Sequence, residues 1–236
     1  MTTAFYVRPN AIQGDLATLE ADEARHASTV LRMRSGDDAF LVDGMGTAYR
    51  GTIKDINARH VTIALHTRLS NYHEPPQRVI LAFGLIKNRQ RLEWIIEKGT
   101  ELGVHSFQPL RTTRSERDRI RIDRLDAIAL AAMKQSGRCL LPTIAQPLAL
   151  SDLVAAYPAV ERWLLAHESA IEPFDAPAAP LGTIGVIIGP EGGFTPTEIE
   201  ALERENIQPK RLGPTRLRAE TAALAALSRI LATSLP

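Results

Sequence analysis

A strand-to-helix loop with three glycines is the stretch of this sequence best suited to bind a ligand. Residues 187–198 read IIGPEGGFTPTE, so a buried apolar run leads into the loop and then into a helix. Thr195, Pro196 and Glu198 predict that helix start, with a capping box. Glycines let backbone groups approach a ligand, and ligands of open α/β sheets bind beyond the carboxyl ends of strands. The stretch predicts a ligand loop, with an ordinary strand–helix turn as the alternative.

A basic segment before the last predicted helix is the second candidate site. Arg216 and Arg218 precede a helix predicted to begin near Ala219, where positive charge opposes the helix dipole. The penalty is only about 0.3–1 kcal/mol per charge, so tolerated surface arginines are the alternative. An unfavourable charge at this place points to a carboxylate or another anion as its partner.

The third candidate is a run of arginines in the middle of the chain. Residues 77–142 carry 13 Lys/Arg against 7 Asp/Glu. Arginine binds phosphate oxygens bidentately, so the run predicts contact with an RNA backbone. The alternative is a solvated helix face with internal ion pairs. The run consists of Arg111, Arg114, Arg117, Arg119, Arg121 and Arg124.

Several other ligand motifs are absent from the sequence. Neither G-x-G-x-x-G nor G-x-x-x-x-G-K-[ST] occurs, which argues against a conventional dinucleotide or triphosphate fold. H-E-x-x-H and G-x-S-x-G are also missing, so hydrolase and metalloenzyme interpretations are weak. The single cysteine, Cys139, excludes an internal disulfide and a cysteine-based metal cluster. We therefore expect no metal.

Two predicted domains position these segments. Short alternating runs separated by turn residues predict a small β-barrel over residues 1–72. Two consecutive prolines make residues 71–76 the predicted linker. Over residues 77–236, continuous apolar runs alternate with helical stripes, which predicts an α/β domain with a mostly parallel sheet.

The expected elements have the following bounds. In the first domain we predict strands at 5–7, 39–42, 47–54 and 60–65, and a helix capped by Asp22 that runs to about Leu31. In the second we predict strands at 79–85, 106–110, 162–166, 184–188 and 210–212. The second domain's helices are expected at 88–102, 122–135, 196–205 and 219–231, with Gly103 ending the first of them.

The composition of the 236 residues is ordinary for a globular protein, with 44% hydrophobic and 23% charged residues. This excludes disordered and fibrous classes. The apolar runs are too short to span a bilayer, and the N-terminus lacks a basic region followed by an apolar one. We therefore expect a soluble, cytoplasmic protein.

Several segments, which follow one another along nearly the whole chain, resemble the ribosomal RNA small subunit methyltransferase E family of the SPOUT class. That family methylates N3 of one uridine in small-subunit (16S) rRNA. The matching segments are His26 with 30–32 (VLR), 97–104 (EKGTELGV), 114–115 (RS), 135–138 (QSGR) with Pro142, 188–194 (IGPEGGF) with Glu198, 212–213 (LG) and 217–222 (LRAETA). There are two departures: Gly99 stands where the family usually has Ala, and the arginine after Leu212-Gly213 is displaced by one position, to Arg216.

The resemblance implies a PUA-like RNA-binding barrel, a SPOUT domain with a trefoil knot, and a homodimer. It implies S-adenosylmethionine as the cofactor. The residues that the resemblance places around it are Leu165, Ala166, His167, Ile188, Gly189, Pro190, Glu191, Gly192, Leu212, Gly213, Leu217, Arg218, Glu220, Thr221 and Ala222.

Removal of the uridine N3 proton requires a general base or a group that stabilises the uridine anion. Arg114, Glu191 and Arg218 are the candidates, with loop fixation as the alternative role of Glu191. The implied partner is small-subunit rRNA in the assembled small ribosomal subunit, with no membrane. The expected RNA contacts are Arg8, His26, Arg32, Arg34, Lys87, Arg111, Arg114 and Arg138.

Three other functions stay open on the sequence alone. One is a knotted methyltransferase acting on another RNA, such as tRNA. A second is an RNA-binding protein without catalytic activity, a possibility raised by the displaced Arg216. The third is a small-molecule transferase that uses the glycine loop for a phosphate.

Overall fold

The structure is a computed structural model that describes residues 4–115, 119–175 and 182–232. The chain divides into two compact units. The first unit comprises Met1–Glu74 with Leu130–Leu141, and the second comprises Pro75–Ala129 with Pro142–Pro236.

The first unit is built on a six-stranded sheet. Its strands are β1 (Ala4–Tyr6), β2 (Ile12–Gln13), β3 (Leu16–Glu20), β4 (Asp38–Val42), β5 (Thr47–Ile56) and β6 (His60–Ser70), in the spatial order β1-β4-β5-β6-β3-β2. β1 pairs with β4 in parallel and the other pairs are antiparallel. Leu19, Leu41 and Ile63 are fully buried in its core. Alternation along the strands places these side chains on one face.

A short helix follows β3, and its start and its end each lie one or two residues before the predicted positions. α1 spans Ala21–Arg25 and continues as a π-helical turn over His26–Val30. The prediction that Asp22 caps this helix is wrong, because the N-cap residue is Glu20 and it makes no side-chain capping bond. Asp22 lies in the first turn, where its carboxylate pairs with Arg25 at 2.7 Å.

The second unit is an α/β structure with a seven-stranded sheet. Its strands are β7 (Arg78–Gly84), β8 (Ser106–Arg111), β9 (Thr143–Ile144), β10 (Leu148–Ala149), β11 (Arg162–Ala166), β12 (Thr183–Ile188) and β13 (Pro209–Lys210). The helices are α2 (Arg89–Leu102), α3 (Ile122–Ser136), α4 (Leu153–Ala156), α5 (Pro196–Arg204) and α6 (Ala219–Ala232). The order is β10-β8-β7-β12-β11-β13, with β9 on β8.

The prediction of a mostly parallel sheet is confirmed, since all pairs found within the described part of this sheet are parallel. Residues 79–83 of β7 are at most 7% exposed, as expected of a central strand covered on both faces. Gly103 adopts φ = +108° and ends α2 as predicted. The sequence missed β2, β3, β9, β10 and α4, of which only β3 has more than four residues.

The second half of α3 belongs to the first unit. Met133 and Cys139 pack with Val42 and Ala48 in a buried cluster of that unit. The two units therefore interleave along the chain, whereas the sequence predicted domains over 1–72 and 77–236. Those functional domain bounds stay a prediction.

Among the helices of the described ranges, none combines the length and the apolarity that a membrane span requires.

Candidate active site

A pocket of about 400 Å³ lies in the second unit at the carboxyl edge of the parallel sheet. Three neighbouring strands, β7, β12 and β11, end at Gly84, Ile188 and Ala166. The residues that follow β12 and β11 line the pocket together with the segment before α6. This is the edge at which parallel α/β sheets bind ligands.

The glycine loop after β12 approaches the neighbouring strand very closely. A Cβ atom on Gly84 would lie 2.5 Å from the backbone nitrogen of Pro190. No side chain larger than hydrogen fits there without moving the loop. Gly193, with φ = +66°, closes the turn by donating its N–H to the Pro190 carbonyl at 2.9 Å. Glycine is therefore required at position 84 by lack of space, and it is favoured at position 193 by the left-handed backbone conformation.

The start of α5 holds the far end of the loop. Thr195 and Glu198 form the predicted capping box, in which each side chain accepts the other residue's backbone N–H. Glu198 also accepts the backbone N–H of Thr113, at 2.7 Å, from the segment after β8. Burial raises the pKa of Glu198, but the backbone donors at Thr195 and Thr113 outweigh burial and leave that pKa below its usual range.

Arg114 and Glu191 fix the loop from two sides. Arg114 donates Nη1–H to the carbonyl oxygens of Gly192, at 2.8 Å, and Phe194, at 3.3 Å. The Glu191 carboxylate accepts the backbone N–H of Lys87 at 3.3 Å. Both side chains therefore have a positioning role in addition to any role toward a ligand.

Charged side chains surround the pocket. Arg216 pairs with Glu168 at 2.9 Å, and Arg91 of α2 pairs with Glu220 of α6 at 3.3 Å. Arg211 donates to the carbonyl oxygens of residues 213 and 214. The apolar part of the lining consists of Ala166, Ile188, Pro190, Phe194, Leu212, Leu217, Ala219 and Ala222.

Most of the predicted cofactor residues meet at this pocket. Those that line it are Ala166, His167, Ile188, Gly189, Pro190, Glu191, Leu212, Gly213, Leu217, Arg218 and Ala222. The other predicted residues do not line it: Leu165 is buried in β11, Gly192 and Thr221 are exposed, and Glu220 is buried behind Arg91. A role in cofactor binding stays a prediction for all of them.

Sequence reasoning missed part of the lining. It named neither Arg91 nor Glu168 as a site residue, and it assigned Arg211 and Thr215 no cofactor role. Arg91 had an available signal, because Asn88 caps α2 and its side chain accepts the Arg91 backbone N–H directly after a buried strand. A helix start at that edge of a parallel sheet is a usual ligand position.

The predicted RNA contacts differ in exposure. Arg8, Arg32, Arg34, Lys87, Arg111 and Arg114 are exposed, and His26 is half-buried against Phe5. Their contact with RNA stays a prediction. Within the arginine run, Arg121 pairs with Asp123 and Arg124 with Glu93, so part of its charge is neutralised internally. Arg117 lies outside the described residues.

Arg138 differs from the other predicted RNA contacts in its burial. The residue is 2% exposed, and its guanidinium donates to the carboxylate of Glu74, with the shortest bond at 2.6 Å. A phosphate contact needs an accessible guanidinium, and this one is enclosed in the first unit. This burial favours a structural role for Arg138, and its contact with RNA stays a prediction.

No group of three or more His, Cys, Asp or Glu residues with a geometry suited to a metal ion occurs within residues 4–115, 119–175 and 182–232.

Comparison with known families gives two matches. Residues 73–231 match the family described as an RNA methyltransferase domain, and residues 19–65 match one described as an RNA methyltransferase PUA domain. The second match confirms the expected PUA-like character of the N-terminal domain. Closure of its sheet into a barrel and the trefoil knot stay predictions.

Similar proteins cover nearly the whole chain. Ribosomal RNA small subunit methyltransferase E of Mycobacterium tuberculosis (strain CDC 1551 / Oshkosh) is 34% identical over 241 residues, covering 96% of this chain and 90% of that protein. The Bacillus subtilis (strain 168) protein of the same name is 30% identical, covering 90% of this chain and 88% of that protein.

Solved structures with the same fold include two that hold a ligand. Ribosomal RNA small subunit methyltransferase E from Neisseria gonorrhoeae, bound to S-adenosyl methionine, aligns with a TM-score of 0.86 at 26% identity, covering 97% of this chain and 96% of that chain. A putative methyltransferase from Legionella pneumophila, in complex with the cofactor SAM, aligns with a TM-score of 0.81 at 29% identity, covering 99% and 98%.

Proposed function

Because this chain belongs to the ribosomal RNA small subunit methyltransferase E family, we propose that it methylates N3 of a specific uridine in small-subunit (16S) rRNA. S-adenosylmethionine is the methyl donor in this proposal. The observation that carries it is the pocket at the carboxyl edge of the sheet, where eleven of the residues that the family resemblance assigns to the cofactor meet.

The pocket residues fit S-adenosylmethionine chemically. A volume of about 400 Å³ lies within the range of small-molecule sites. The side chains of Ile188, Leu212 and Leu217 offer an apolar wall for the adenine ring. Glu168 and Glu191 supply negative charge for the sulfonium and ammonium groups of the donor. The arginines of the pocket supply positive charge for its carboxylate.

The reaction needs a group that favours loss of the uridine N3 proton. When bound, the cofactor supplies a methyl group on a sulfonium, so the protein contributes orientation and charge. Arg218 lines the pocket and is exposed immediately before α6, where positive charge opposes the helix dipole and a bound anion would offset that cost. We assign it the stabilisation of the uridine anion.

Glu191 and Arg114 complete the proposed site. Arg114 holds the loop through the carbonyls of residues 192 and 194, which supports a positioning role. Glu191 lines the pocket while its carboxylate accepts the Lys87 N–H. A Glu191→Gln variant separates its two candidate roles, since glutamine still accepts that hydrogen bond but removes no proton.

The finer features of the family complete the proposal. They are a trefoil knot around the pocket, a homodimer, and recognition of the assembled small ribosomal subunit by exposed basic residues of both domains. Arg8, Arg32 and Arg34 of the first unit are exposed, which suits contact with phosphates. A ribosomal substrate places the enzyme in the cytoplasm, in ribosome biogenesis.

The test is transfer of a labelled methyl group from S-adenosylmethionine to small subunits that lack the modification, with naked rRNA and tRNA in parallel. Nucleoside mass spectrometry identifies the modified base. We expect N3-methyluridine in the small subunit.

Other outcomes overturn the proposal in distinguishable ways. Label in tRNA alone indicates a methyltransferase for another RNA. RNA binding without any methyl transfer, despite cofactor binding, indicates a protein that has lost catalysis.

A further inference from the structure

An ion pair between two helices lies at the wall of the pocket. Nε of Arg91, in the first turn of α2, is 3.3 Å from Oε1 of Glu220, in the first turn of α6. Arg91 lines the pocket with a side chain that is 32% exposed, whereas Glu220 as a whole is 8% exposed. The carboxylate thus holds the arginine from the buried side.

The buried carboxylate is only partly satisfied. Oε2 of Glu220 is enclosed and has no hydrogen-bond partner among the described residues. Leaving a buried charged atom unpaired is unfavourable, although its place in the first turn of α6 gives it a favourable helix dipole. The ion pair therefore restrains the Arg91 side chain, which lines the pocket and uses only its Nε in this contact.

Two of the other pocket arginines are already engaged. Arg216 pairs with Glu168, and Arg211 donates to backbone carbonyls. Arg91 differs from them because its partner, Glu220, is buried and does not line the pocket. A planar guanidinium fixed in this way is suited to bind a carboxylate bidentately.

We propose that Arg91 binds the carboxylate of the methionine part of S-adenosylmethionine and that Glu220 is the positioning residue for Arg91. This inference rests on the proposed cofactor but not on which base is methylated. It assigns Glu220 an indirect role in the pocket, in agreement with its position behind the lining.

The experiment compares two ligands that differ only in this carboxylate, S-adenosylmethionine and decarboxylated S-adenosylmethionine, by titration calorimetry. The wild-type protein is expected to prefer the carboxylated ligand by about 10- to 100-fold. Arg91→Met should lose that preference while its affinity for the decarboxylated ligand stays unchanged. Arg89→Met is the matched control, because Arg89 lies in the same helical turn, pairs with Glu93 and does not line the pocket.

Removing Arg91 alone leaves the Glu220 charge without a partner, which could destabilise the fold. A second variant therefore separates loss of binding from loss of folding. The double variant Arg91→Met/Glu220→Gln removes both charges and should show the same loss of preference. Glu220→Gln alone should reduce the preference only in part, because Arg91 keeps its charge but loses its orientation. A purely structural role for Glu220 would change both affinities equally.

Three results overturn the inference. Equal affinity of the wild-type protein for the two ligands shows that no group of the protein binds the carboxylate. If the double variant loses affinity equally for both ligands, Arg91 acts through the fold. If the variants lose only affinity for RNA, Arg91 contacts an RNA phosphate instead. Failure of the proposed function looks different: the preference is present, but small subunits acquire no N3-methyluridine.

Discussion

Arg216 and Glu168 form an ion pair of 2.9 Å between the segment before α6 and the segment after β11, and both residues line the pocket. Their side chains are 72% and 54% exposed, so the pair lies on the solvent side of the pocket. In the family pattern that this chain resembles, the arginine stands one position earlier. The displaced residue here joins two pocket segments.

Removal of this ion pair should have a small effect. Exposed pairs contribute about 0–1 kcal/mol, so Arg216→Ala should lower the free energy of unfolding by no more than about 1 kcal/mol and weaken cofactor binding by less than about fivefold. Urea unfolding and calorimetry measure the two quantities. Arg204→Ala, which removes an exposed pair with Glu200, is the control. A loss of cofactor affinity near 100-fold would instead show that Arg216 contacts the cofactor directly.

Arg114 should matter for cofactor binding because it anchors the glycine loop. Arg114→Met removes the hydrogen bonds to the carbonyls of residues 192 and 194, and we expect cofactor affinity to fall by about tenfold. Arg121→Met, which removes an exposed ion pair with Asp123, should leave that affinity unchanged. If RNA affinity falls in Arg114→Met while cofactor affinity does not, the residue contacts RNA instead.

The close approach of Gly84 to Pro190 gives a prediction on stability. Gly84→Ala places a methyl group 2.5 Å from the Pro190 nitrogen, so the loop must shift, and the free energy of unfolding should fall by about 1–3 kcal/mol. Gly213→Ala is the comparison, since no heavy atom lies within 4 Å of its added Cβ. Urea unfolding of both variants decides. Equal losses would mean that the crowding at Gly84 is not what destabilises the fold.

Features set by neighbouring residues were predictable from the sequence. The capping box at Thr195 and the glycine end of α2 depend on groups within a few residues, and both form as predicted. The continuous apolar run of β7 also predicted a strand buried on both faces. Local hydrogen bonds and burial patterns depend on consecutive residues, so the sequence predicts them without knowledge of the tertiary fold.

Features set by distant residues were not predictable. The pair between Arg124 and Glu93 joins positions 31 residues apart and neutralises one arginine of the run that predicted contact with RNA. The apolar stripe of α3 shows which side of the helix is buried, but not that Met133 packs in the first unit. Arg91 enters the pocket only because α2 and α6 pack together.

Arg138 should contribute to stability rather than to RNA binding. Its partner Glu74 also accepts the backbone N–H groups of Cys139 and Leu140, each at 2.9 Å, so this carboxylate holds the segment that follows α3 in the first unit. Arg138→Met leaves a carboxylate of 9% exposure without its counter-charge. Loss of one partner from a buried pair is destabilising by about 3–5 kcal/mol, and urea unfolding should show a loss of that size.

Cys139 reports whether this part of the first unit opens. Burial raises the pKa of its thiol to about 12, with the nearby Glu74 carboxylate adding to the increase, so the native thiol stays protonated at pH 8. Iodoacetamide should therefore label the wild-type protein slowly and Arg138→Met much faster, because the open form is more populated. Arg8→Met, which changes an exposed arginine of the same unit, should label as slowly as wild type. If Arg138→Met has unchanged stability and labelling but binds RNA more weakly, Arg138 contacts RNA instead.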